Sequence, residues 1–167
     1  MINVQAFREA SQVKRCHLYP YHGSYTVGQH TFDMLTLLLE LNPNASRYLI
    51  MAVIYHDMSE RWTGDMPAHM FRKVRGLAEK WDKLNEEVMT DNFVPSVDLT
   101  PEEEKWLHAV DKLELLLWCT DQLKLGNQHI SDMAERVRQW IDKMDLPEEA
   151  RRFVNNYKWE RTSDYGR

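Results

Sequence analysis

What the chain holds little of narrows its class before any motif is read. Two cysteines, Cys16 and Cys119, stand far apart and form no CxxC. Neither a disulfide framework nor a zinc ribbon is indicated, and a reducing, cytoplasmic compartment fits best. Apolar runs are short. The longest, around Met34 to Leu41, falls far below the roughly 20 residues that span a bilayer. The opening MINVQAFREASQVKR does not read as a signal peptide. No Lys/Arg block occurs and the net charge is −5, which disfavours a binder of nucleic-acid polymers and favours small charged ligands. Repeats, low-complexity segments and convincing strands are also missing.

What is present reads as one helical domain. A hydrophobic content of 43% over 167 residues suits a globular core. A single domain over residues 1–160 is expected, with a loose tail at 161–167. A short helix is expected over 3–13, then a Pro-, Gly-, Tyr- and His-rich loop over 15–28. From Gln29 the spacing of His30, Met34, Leu37, Leu38 and Leu41 is that of one helix face. Asn42-Pro43-Asn44 breaks it, with Asn44 as a cap for a helix in which Leu49, Ala52, Val53 and His56 share a face. Thr63-Gly64-Asp65 reads as a turn, and Pro67 opens a helix over roughly 67–90. Thr100, Pro101 and Glu103 form a capping-box start for a helix running to about Leu125, with Gly126 as its stop. Two further helices, near 130–144 and from Pro147 to about Tyr157, complete an all-α chain.

The stretch HDMSERWTGDMP, 56–67, organises the rest. An apolar helix ends in His56-Asp57, with Glu60 one turn on and Asp65 in the following turn. Unpaired carboxylates at an apolar boundary are costly unless a cation sits among them. His30 and Asp111 likewise interrupt apolar faces on separate helices. Each alone is more readily a satisfied core residue, but together His30, His56, Asp57 and Asp111 make an N2O2 set that one Zn, Co or Mn ion satisfies. Adjacent helical residues point about 100° apart, so His56 and Asp57 reach one ion only where the helix ends. Tyr19, Tyr21 and Tyr25 serve either as base-stacking rings or as packing for the loop.

The order H…HD…D resembles the HD-domain metal-dependent phosphohydrolases. More closely, Arg15, VGQH with His30, YHDMSERWTGDMP and HAVDKLE with Asp111 resemble the small 5′-deoxynucleotidase branch and the phage-type dATP triphosphohydrolases. The likeness covers residues 15 to about 120. It implies a compact all-α HD fold and an enzyme whose metal ligands are His30, His56, Asp57 and Asp111, with a second ion such as Mg also compatible. Glu60 would activate water, with Asp65 assisting. Arg15 would hold phosphate, and Cys16 and Leu18 would line the substrate. The chain departs from the branch at Cys16, where relatives carry tryptophan, and at His69 and Phe71, where they carry proline and lysine. Arg72, Lys73 and Lys112 stand close enough to supply positive charge instead. A homo-oligomer is implied as well.

The expected activity is hydrolysis of a deoxynucleotide phosphate, with a dNTP triphosphohydrolase favoured and a 5′-deoxynucleotidase acting on monophosphates as the alternative. HD enzymes acting on guanosine tetraphosphate or cyclic nucleotides are a wider alternative. An idle metal- and nucleotide-binding helical protein is the alternative of another class. Glu60 and Asp65 speak against it, because a structural site needs only the four ligands.

Overall fold

The strongest helix signal in the sequence becomes the axis of the fold. Thr100 accepts the Glu103 amide at 3.3 Å while the Glu103 carboxylate accepts the Thr100 amide at 2.8 Å. This reciprocal cap, with Pro101 at the first position, opens α7 (Pro101–Lys124). Its buried residues include Ala109, Val110, Leu113, Leu116, Cys119 and Leu123, more than one stripe of the helix. A helix apolar on several sides has to be enclosed, and α2 (Val27–Leu41), α3 (Arg47–Tyr55) and α8 (Ser131–Lys143) enclose it. α9 (Glu148–Asn156) packs in turn on α2.

The computed structural model describes residues 4–92 and 94–159, and within them every side chain except those of His69 and Arg72. The expected tail 161–167 and the Arg72 side chain therefore lie outside the described residues. All named elements are helices; among the described residues the one β feature is an isolated bridge between Lys14 and Thr26. No described helix is long and apolar enough to cross a membrane.

Four expectations need correction. α2 starts at Val27, two residues before Gln29, because the Thr26 hydroxyl accepts the Gln29 amide at 3.3 Å. The cap of α3 is Ser46, not Asn44: Ser46 accepts the Leu49 amide at 3.1 Å and also donates to Glu103, tying two helix starts together. The single helix expected over 67–90 is two, α5 (Ala68–Lys73) and α6 (Leu77–Asp91). Gly76 lies between them with φ of 72°, a left-handed conformation that stops α5 from running on. Pro67 caps α5 rather than beginning it.

Two terminations position the site. α3 stops at Tyr55, and His56 still donates its amide to the Ala52 carbonyl at 2.9 Å as the helix unwinds. Residues 56–59 form a turn before α4 (Glu60–Thr63), which ends at Gly64 with φ of 72°. The loop after α1 (Val4–Ala10) is equally constrained. The Arg15 amide bonds the Tyr25 carbonyl and the Val27 amide the Val13 carbonyl, both at 2.9 Å. At the far end of the loop, Gln122 of α7 both accepts from and donates to the backbone of His22, at 2.9 and 3.0 Å.

Where this loop rejoins α2, Gly28 touches backbone. A Cβ there would stand 2.7 Å from the Ser11 Cβ and 3.0 Å from the Ser11 carbonyl oxygen. Gly28→Ala is expected to destabilise the protein by about 1–3 kcal/mol through overpacking, although alanine is ordinarily the better helix former. Urea unfolding measures this, and a midpoint equal to wild type would contradict the close approach.

Candidate metal centre

The His30 ring is fully buried, and its Nδ1–H donates to Glu114, as does the Tyr25 hydroxyl at 2.6 Å. The His56 Nδ1–H donates to the Val53 carbonyl at 2.7 Å, an acceptor freed by the end of α3. A carboxylate and a carbonyl here only accept, so both rings carry their proton on Nδ1 and present Nε2 as a lone pair. Those two Nε2 atoms stand 3.3 Å apart, and the Asp111 Oδ1 is 3.3 Å from that of His30. Donor atoms of His30, His56 and Asp111 all lie within 4.8 Å of one another. Asp57 Oδ2 is 3.1 Å from the His56 Nε2 and 3.8 Å from the His30 Nε2.

Lone pairs converging in this way repel unless a proton or cation lies between them. Two ligands at about 2.0–2.1 Å from one ion at tetrahedral angles stand about 3.3–3.4 Å apart. The donor spacing therefore fits a small divalent ion. The electrostatics point the same way. Burial would lower the His56 imidazole, but Asp57, with Asp111 behind it, outweighs burial and holds it up at about 9. Burial would raise Asp57 and Asp111, yet His56 and Arg15 hold Asp57 well below the usual carboxylate range. Lys112 and His30 do the same for Asp111. The same negative surroundings that hold up His56 would attract a divalent cation.

The remaining expected residues gather in one cleft of about 750 Å³ beside this cluster. Arg15, Cys16, Leu18, Asp57, Glu60 and Asp65 line it from the loop and the α3–α5 segment, and Asp111 and Lys112 from α7. Arg15 is buried, with its guanidinium on Asp57 and 3.7 Å from Glu60 Oε1. The other Glu60 oxygen, Oε2, is buried without a partner. Burial and the neighbouring Asp57 push the Glu60 carboxyl up to about 8, against the pull of Arg15. Asp65 accepts the Cys16 amide at 2.9 Å, fixing a residue whose φ of 52° is otherwise unfavourable. Burial, more than Arg15 can offset, pushes the Cys16 thiol up to about 12, so it is no nucleophile at neutral pH. Lys112 donates to Asp111 Oδ2 at 2.6 Å, leaving Oδ1 for the cluster. Lys73 lies on the cleft wall.

Of the loop tyrosines, Tyr25 is wholly buried, stacked on Trp118 at 4.4 Å between centroids, and Tyr21 packs edge-on to the same ring. Packing is their role, and only Tyr19 faces the cleft.

Glu114 is the residue that motif reading passed over. It is buried among leucines one turn past Asp111, and that position was the available signal. A carboxylate three residues along the same face as a ligating one has to find a partner inside. Such carboxylate–histidine contacts orient metal-binding rings. Glu114→Ala strands both the His30 Nδ1–H and the Tyr25 hydroxyl. It is expected to cost about 3–5 kcal/mol of unfolding free energy, as for other broken buried pairs, while Glu114→Gln retains most of it. Denaturation of both variants without metal tests this, and equal losses would contradict it.

A family model described as YfbR-like 5′-deoxynucleotidase matches residues 5–159. A curated 5′-deoxynucleotidase of Vibrio atlanticus is 27% identical over 123 residues, 65% of this chain and 62% of that protein. Another from Vibrio cholerae is 31% identical over 111 residues, 58% of this chain and 56% of the relative. The chain thus spans less than two thirds of the length of these curated relatives. Among solved structures, the HD phosphohydrolase DatZ of cyanophage S-2L, bound to dA and one catalytic Zn2+ ion, superposes with a TM-score of 0.72 at 16% identity. That match covers 93% of both chains. At that identity the likeness establishes the fold, an all-helical HD fold as the sequence led one to expect.

Proposed function

The chain belongs to the YfbR-like 5′-deoxynucleotidase family, and from that premise we propose that it is a metal-dependent phosphohydrolase releasing phosphate from 2′-deoxynucleoside 5′-monophosphates. One observation carries the reading. Donor atoms of His30, His56 and Asp111 lie within 4.8 Å of one another beside a cleft, with Asp57 Oδ2 3.1 Å from the His56 Nε2 and the partnerless Glu60 Oε2 in the cleft lining.

His30, His56, Asp57 and Asp111 would hold a divalent ion, Zn, Co or Mn by donor type, with room for a second ion such as Mg unassigned. When bound, the ion supplies positive charge beside a phosphoryl oxygen and favours deprotonation of water. This chain's own groups supply the rest. Glu60 Oε2 accepts the proton of the attacking water as the water oxygen bonds phosphorus. The P–O5′ bond breaks, and the same proton passes from Glu60 to the leaving O5′, so the carboxylate is regenerated. Arg15 turns part of its fork from Asp57 to a phosphate oxygen. Asp65 acts through the backbone, holding the Arg15–Cys16 turn in place.

Triphosphate hydrolysis is the second reading. Lys112 and Lys73 extend the positive charge of Arg15 along the cleft wall, where further phosphates would need it. A panel of dNMPs and dNTPs with identified products decides between them: inorganic phosphate from dNMPs supports the first, tripolyphosphate from dNTPs the second. Absence of any product from metal-loaded protein would leave the idle binder. The same preparation on a light-scattering detector tests the proposed homo-oligomer.

Arg15→Ala is expected to lower kcat/KM roughly tenfold or more, since a charge-assisted hydrogen bond is worth about 1.5–3 kcal/mol. Bound metal, measured by elemental analysis, should stay at the wild-type level. Unchanged kcat/KM on every hydrolysed substrate would remove Arg15 from the phosphate site.

A further inference from the structure

Asp111, Lys112 and Arg15 line the cleft, and α8 contributes Met133, Arg136, Val137 and Trp140 to the same lining. Met133 and Val137 belong to the core, whereas Arg136 and Trp140 are half-buried at the cleft wall. Leu115, four residues along α7 from Asp111, lines the cleft as well. Four residues of helix rise about 6 Å, close to the distance that separates a 5′-phosphate from the far side of its sugar. For a nucleotide whose phosphate lies at Asp111 and Arg15, Leu115 and the α8 residues are cleft lining available to the base.

We infer that α8 forms the nucleobase subsite, with Trp140 as the ring against the base and Arg136 as the residue that selects guanine over adenine. The inference rests on the deoxynucleotide reading above. Its support is chemical. An arginine has five N–H donors and no acceptor, and one of those of Arg136 is committed to the Tyr19 hydroxyl at 3.1 Å. That bond holds the guanidinium against the loop while other donors remain for a ligand. A base edge that meets a guanidinium must offer acceptors. Guanine offers adjacent O6 and N7, whereas adenine places an N6 amino donor beside N7. Apolar contact with Trp140 suits either purine, so discrimination falls to Arg136.

The test uses full-length metal-loaded protein with dGMP, dAMP and 2-deoxyribose 5-phosphate, each followed by steady-state kinetics and by calorimetric binding. Wild type is expected to show a lower KM for dGMP than for dAMP. Arg136→Ala should raise the dGMP KM roughly tenfold, the size of one lost charged hydrogen bond, with kcat kept. The other two probes should change less than twofold. Trp140→Ala should weaken both nucleotides but not the baseless sugar phosphate, and Trp140→Phe should restore them. Arg136→Lys, which keeps charge but loses the fork, covers the case in which the alanine variant is unstable. Equal weakening of all three probes by Arg136→Ala would make it a phosphate contact and overturn the inference. Hydrolysis indifferent to base and to both substitutions would overturn it while leaving the phosphohydrolase reading intact. If wild type turns over nothing yet binds dGMP through Arg136, the subsite stands and the proposed activity falls.

Discussion

Glu60→Ala is expected to keep the fold, the metal and nucleotide binding while turnover falls by about 10²–10⁴, the usual contribution of a positioned acid or base. Glu60 is not needed to complete the four-donor set, and its Oε2 is the buried oxygen at the cluster without a partner. Burial and Asp57 push its carboxyl up to about 8, and a cation held by the four donors would pull it back toward the carboxylate that accepts the water's proton. Glu60→Gln, which keeps the shape and cannot take the proton, should fall as far. Single-turnover kinetics beside metal analysis is the check. A wild-type rate with metal bound would mean that proton transfer lies elsewhere; loss of metal together with rate would make Glu60 a ligand.

Asp111→Asn and His56→Ala should each lose metal, activity and thermal stability together. Asp111 Oδ1 and the His56 Nε2 each stand 3.3 Å from the His30 Nε2, and donor atoms of the three residues lie within 4.8 Å of one another. Removing either leaves donors that cannot enclose an ion. With free metal about a hundredfold above its dissociation constant, binding to the native state alone contributes about 2.7 kcal/mol. For a chain of this size that is about 5–10 °C of melting temperature. A chelator should lower the wild-type melting temperature by this much and leave both variants nearly unmoved. Full metal content in the two variants would sink the ligand assignment.

Much of this was legible in the sequence wherever the determinant is local. The Thr100–Glu103 box, the Gly126 stop and the end of α3 at His56-Asp57 depend on residues within one turn, and each reads as written. The α5–α6 break was less visible. Gly76 inside a helical pattern costs only about 1 kcal/mol relative to alanine, too little to mark a stop without the backbone in view. Ser46 displaced Asn44 because its hydroxyl serves two partners, one of them 57 residues away. The same limit hid Glu114, whose partners Tyr25 and His30 lie 89 and 84 residues earlier. The burial of Arg15 on Asp57, 42 residues on, is likewise a tertiary fact. What spacing revealed was the four polar side chains that the fold gathers; what it concealed was the residues that hold them still.

The break at Gly76 has a consequence for how the molecule opens. α6 contributes no buried residue and packs on α5, while α7 is enclosed along its length. A helix with so little apolar surface withdrawn from water is released at small cost. In deuterium exchange its amides should label through brief local openings, long before those of Leu113 or Leu116, which wait for the whole protein to unfold. Because α5 carries Phe71 and Lys73 on the cleft wall, those openings should reach the cleft lining. The cluster of His30, His56 and Asp111, carried by α2, the end of α3 and α7, should stay protected throughout.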